Sequence, residues 1–160
     1  MVSIPLAAGD LRWAFPELVD EDAVRAALLE ADEQFRAVTA LLREPTGRTD
    51  AGFRFDRADG IVLAGVTAFA EAADATVIAW LGFPRRCAWD LRWGPPWQVS
   101  AEIEVLCGRP DDCAGHVVAD LTDSFLTPLA AARGLVTATG WLLGQIADGD
   151  RDSWRPEPCA

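Results

Sequence analysis

The sequence predicts an α+β fold, in which an antiparallel sheet of about four strands, a meander, packs against an N-terminal and a C-terminal helix. Three features carry that reading. An amphipathic stretch opens at Asp20, strand-like runs fill the middle of the chain, and a second long apolar stretch follows Thr127.

The first helix is "DEDAVRAALLEADEQFRAVTALLRE". Val24, Leu28, Phe35, Val38 and Leu42 recur at helical spacing as one stripe, while Arg25, Glu33, Arg36 and Arg43 fall outside it. Asp20 is placed to cap the first turn, and Glu21 and Asp22 suit the positive end of the helix dipole. Pro45 and Gly47 end the helix, and "PTGRTDAG" continues as a loop.

"IVLAGVTAFAEAADATVIAWLGF" is rich in Ile, Val, Thr and Phe. It reads as two antiparallel strands, about 61–71 and 75–83, with "EAAD" at the turn. A helix over 61–72 is the competing reading, because alanines are many. Glu71 and Asp74 interrupt the apolar run before it is long enough to span a membrane. "PRRCAWDLRWGPPWQ" follows, with Trp89, Trp93 and Trp97 around Pro95 and Pro96, where two prolines argue against a central strand.

"VSAEIEVLC" alternates. Val99, Ala101, Ile103 and Val105 share one face, and Ser100, Glu102 and Glu104 share the other. "HVVADL" is its natural partner, and "GRPDD" has turn chemistry, so 99–106 and 115–121 are expected to pair antiparallel.

The last helix begins near Thr127, with Pro128 at a favourable first position, and runs to about Ala147. It is apolar almost all round, Arg133 and Gln145 excepted. Leu129, Ala132, Val136 and Leu143 lie on one side; Leu135, Trp141 and Leu142 are spread over the rest. One sheet and one other helix leave part of such a surface to be covered. A homodimer or a protein partner is therefore expected through Leu129, Leu135, Trp141 and Leu142. The alternative is that the first helix and the Trp-rich loop wrap this helix completely.

The chain has 160 residues, of which 51% are hydrophobic and 24% charged, which suits a single domain over 1–150 with a flexible polar tail over 151–160. The net charge of −11 repels phosphate backbones and anionic lipid, so neither nucleic acid nor membrane is an expected partner. The opening residues lack the pattern of a secretory signal, and a cytoplasmic setting with reduced thiols is expected.

The candidate chemistry centres on "CGRPDDCAGHVV" at 107–118, which holds Cys107, Cys113 and the single histidine, His116. If the two cysteines face each other across the turn, Glu104 lies opposite His116 and Ser100 opposite Asp120. Glu102, Glu104, His116 and Asp120 then crowd one face, with the thiols on the other. That separation, and the five residues between the cysteines, argue against a zinc site; no metal and no cofactor are expected. A carboxylate beside an imidazole suits general acid–base work, so His116, with Glu104 or Asp120, is the candidate catalytic set of a small cofactor-independent enzyme such as a cyclase, isomerase or hydrolase. Trp89, Trp93, Trp97 and Glu102 are candidate binding residues; the tryptophans either line a pocket or interface or close the end of the core. No phosphate-binding loop and no nucleophile elbow accompany them. The preferred expectation is a small acidic binding protein: an adaptor, an immunity-type inhibitor or an accessory subunit. A deep closed pocket reaching His116 favours the enzyme, and a flat acidic sheet face favours the binder.

Overall fold

In a computed structural model of the chain, residues 2–5, 11, 15, 18–42, 54–58, 61–72, 75–82, 97–105 and 116–149 are described. Two long helices lie on one side of an antiparallel sheet. The helices are α1 (Glu21–Leu42) and α2 (Pro128–Asp148). The strands are β1 (Val2–Pro5), β2 (Arg54–Ala58), β3 (Ile61–Ala72), β4 (Ala75–Gly82), β5 (Trp97–Val105) and β6 (His116–Phe125), and they neighbour one another in chain order. The four strands expected from the middle of the sequence are β3 to β6. Two further short strands, β1 and β2, extend the sheet to six. The helix considered as a competitor for 61–72 does not form: these residues pair with β4 from Val66↔Leu81 to Ala72↔Ala75.

α1 forms because its apolar residues fall on one stripe. Val24, Leu28, Phe35, Val38 and Leu42 are all buried, joined by Ala27, Ala31 and Thr39. The Val24 N–H donates to the Asp20 carbonyl at 3.0 Å, which puts Asp20 at the N-cap. At α2 the Thr127 hydroxyl accepts from the Ala130 N–H at 3.2 Å, and Pro128, which has no N–H to leave unsatisfied, occupies the first turn.

α2 rests chiefly on β5 and reaches β4 and β6 on either side, while α1 stacks on α2. The core lies between. Val77, Ala79 and Leu81 of β4 and Trp97, Val99, Ala101 and Ile103 of β5 meet Ala131, Leu135, Ala138 and Leu142 of α2 and the stripe of α1. Between the helices, the buried Thr139 hydroxyl lies 2.6 Å from Gln34 Oε1 and donates to it. The segment to the N-terminal side of α1 contributes Leu11 and Phe15, both fully buried.

One expectation about α2 is corrected. Leu135 and Leu142, expected at a partner interface, are both fully buried within the chain itself. The inward stripe runs through Ala131, Leu135, Ala138, Leu142 and Ile146; Leu129, Val136 and Leu143 on one shoulder and Trp141 on the other are partly buried against the same core. α1 and the sheet bury this stripe, and the apolar shoulders beside it are partly covered. Among the described residues, no helix is long and apolar enough to cross a membrane. The tail over 151–160 lies outside the described residues.

Candidate functional site

The two faces of the sheet differ. Alternation places Ala75, Val77, Ala79 and Leu81 of β4 under the helices, and Thr76, Ile78 and Trp80 on the opposite side, which neither α1 nor α2 covers and where they are half-buried. In β5 the same alternation buries Val99, Ala101 and Ile103 and turns Gln98, Ser100, Glu102 and Glu104 to the open face.

β6 pairs with β5 in a register that brings chemistry together on that open face. Glu102 stands opposite Asp120, Ser100 opposite Thr122, and Gln98 opposite Ser124. Ser100 is only 1% exposed. Its Oγ donates to Glu102 Oε1 at 2.7 Å and lies 3.2 Å from Thr122 Oγ1. Behind this row, Ile78 is register-opposite Glu102 and Trp80 opposite Ser100. This face therefore carries the Ser100 and Thr122 hydroxyls in the middle, carboxylates at Glu102, Glu104 and Asp120, and an apolar shoulder on β4.

His116 is not part of that surface, which corrects the expected register. Ile103 pairs with Ala119, but the next residue, Glu104, pairs with Val117, so Val118 is an extra residue on β6. This bulge allows Val118 and Ala119 both to pack against the core. It also moves every residue before it to the other face. His116 therefore stands opposite Val105, on the helix side, and Glu104 opposite Val117. The expected constellation of His116 with Glu104 and Asp120 does not assemble, whereas Glu102, Glu104 and Asp120 do share a face.

Trp97 is a core residue. It is 4% exposed on the helix side, with its ring centroid 5.0 Å from that of Phe15 at an interplanar angle of 44°. Trp89 and Trp93, and Cys107 and Cys113 with their turn, lie outside the described residues. Among the described residues, no group of three or more His, Cys, Asp or Glu side chains is arranged to hold a metal ion.

A second feature is absent from the sequence reading. On the helix side of β6 a groove of about 410 Å³ runs between the strand and α2. Val99, Leu121, Phe125 and Ala138 line it, and the exposed Asp123 and Arg133 stand along it. The Phe125 ring lies so close to Gly134 that a side-chain carbon added at Gly134 would overlap it. A glycine inside a helical pattern is the one sequence signal that pointed to this close approach. Compared with protein-family models, curated proteins and solved structures, the chain matches none.

Proposed function

We propose that the protein is a small acidic binding module that docks a basic surface of a protein partner on the open face of β4, β5 and β6. One observation carries this reading: Glu102 and Asp120 stand directly opposite each other, with Glu104 beside them, on a sheet face that neither helix covers. Like charges opposed across two strands destabilise a sheet. A cationic partner turns that repulsion into attraction. The net charge of −11 steers such a partner from a distance. The half-buried Ile78 and Trp80 supply apolar contact beside the charges, and Trp is favoured at the centre of interfaces. The enzyme reading rested on His116 sharing a face with Glu104 or Asp120, and the bulge at Val118 removes that support.

The test is titration of the full chain with an oligo-arginine peptide. The triple variant Glu102→Gln, Glu104→Gln, Asp120→Asn is compared with a control that removes the same number of charges from the exposed side of α1: Asp22→Asn, Glu30→Gln, Glu33→Gln. The sheet variant is expected to bind roughly tenfold more weakly or worse, with a smaller salt dependence, and the helix control to change little. Equal losses in both variants would reduce the binding to net charge and reject the site.

A further inference from the structure

β6 is the last strand of the sheet, and among the described residues no strand pairs with its outer side. It is 10 residues long, against about 5–6 for an ordinary strand. Sheet edges are commonly kept short or blocked, because unpaired N–H and C=O groups are a template for another chain. Here the bulge at Val118 bends only the start of β6, and from Ala119 the register with β5 is regular. The Ser124 N–H is already taken by Asp123 Oδ1 at 2.7 Å, so the ladder open to a new strand lies before that residue.

The two sides of this edge are chemically different. On the helix side, α2 sits over β5 and leaves the groove of about 410 Å³ beside β6, with Leu121, Phe125, Val99 and Ala138 as its apolar lining. Asp123 and Arg133 along it carry opposite charges, so the groove favours neither sign. On the open side the same strand shows Asp120, Thr122 and Ser124, all exposed, with Glu102 next to Asp120 on β5. A strand laid against the edge sends alternate side chains to these two sides.

We propose that β6 accepts an extended segment of a partner protein as a seventh strand, its apolar side chains entering the groove between β6 and α2 and its basic side chains, alternating with them, lying beside Asp120 on the open face. This is recognition by strand addition, in which backbone pairing gives affinity and alternate side chains give specificity. It rests on the reading of the chain as a binding module and names the kind of segment that module takes. A second copy of the chain fits less well. Each copy carries −11, and antiparallel pairing about the middle of two β6 strands brings the two Asp120 carboxylates face to face or diagonal.

The experiment is calorimetric titration of the full chain with capped peptides of one composition, valine and arginine. One alternates the two residues, one is a block-scrambled isomer, and two alternating forms are N-methylated at all valines or at all arginines, which silences one backbone edge each. The alternating peptide is expected to bind at least tenfold more tightly than the scrambled one. One of the two N-methylated forms is expected to lose at least tenfold. Thr137→Phe, an exposed helix position on the groove, is expected to weaken the alternating peptide by a similar factor while leaving oligo-arginine binding unchanged. Equal binding of all four peptides overturns strand addition; if that binding still falls in the Glu102→Gln, Glu104→Gln, Asp120→Asn variant, the open-face reading stands without it. Binding of none of the four also overturns it, and the oligo-arginine titration then judges the open face separately. A concentration-dependent dimer in sedimentation that Thr137→Phe dissociates assigns the edge to a second copy and overturns the proposal as well.

Discussion

Glu102 and Asp120 repel each other across the β5–β6 pair, and neutralising either one relieves that repulsion. Glu102→Gln or Asp120→Asn is therefore expected to stabilise the free protein by about 0.2–1 kcal/mol in urea unfolding at low ionic strength, with a smaller gain as salt screens the pair. The gain in the free protein and the loss in binding would have the same origin, and a variant that showed neither would remove both. Ser100 behaves differently. Its nearly buried hydroxyl bonds Glu102 at 2.7 Å, so Ser100→Ala is expected to cost about 1 kcal/mol in the same measurement. At this scale the sequence was legible wherever strict alternation held. Val99 to Glu104 fall on the faces their pattern implied. His116 was not legible, because a single extra residue at Val118 reverses the face of everything before it. Whether that residue is accommodated depends on a core contact far away in sequence.

Two glycines of α2 separate helix propensity from packing. Gly144 has open space around the position of an added methyl group, so Gly144→Ala is expected to stabilise the protein by up to about 1 kcal/mol. Gly134→Ala gains the same propensity, but its methyl group meets the Phe125 ring. A net loss of about 1 kcal/mol or more is expected, with a change in the groove that weakens the alternating peptide. Thermal unfolding of the two variants side by side checks the contrast; equal stabilisation by both would show that Phe125 yields without cost. Between the helices, Thr139→Val keeps the volume and removes the hydroxyl that reaches Gln34, and is expected to destabilise by roughly 1 kcal/mol. α1 was readable from its sequence because its apolar residues occupy one stripe and leave one way to face the core. α2 was readable as a helix but not in its orientation, since an all-round apolar surface contains no such choice. The core then selected Leu135 and Leu142 as its inner residues rather than Leu129 and Val136.

For the molecule as a whole, the layered α+β arrangement followed from two long periodic stretches around strand-like runs, but the width of the sheet did not. β1 has four residues and ends on a proline, and β2 is "RFDRA", three of whose five residues are charged. Such segments carry little intrinsic preference; β2 becomes a strand because β3 offers an edge to pair with, and β1 because β2 then offers its own. The charge balance, by contrast, is a whole-chain property and leads to a prediction at that scale. The chain has 25 acidic and 14 basic residues. Folding concentrates this excess of negative charge, and the unfolded chain relieves it by expanding. Among the described residues, the ion pairs Arg25–Glu21 at 3.2 Å and Arg36–Asp32 at 2.8 Å join neighbours on the surface of a single helix, and pairs of that kind contribute little that salt can take away. Raising the ionic strength from about 0.01 to 0.15 M shortens the screening length from roughly 30 to 8 Å, which weakens repulsion across the whole surface. The melting temperature is therefore expected to rise by several degrees over that range, as about 1–2 kcal/mol of relieved repulsion implies for a chain of this size. The Glu102→Gln, Asp120→Asn double variant should start higher and rise less, because part of the relief is already built in. A melting temperature that fell with salt would show that attractive pairs outweigh the net charge, and would count against an acidic face held ready for a basic partner.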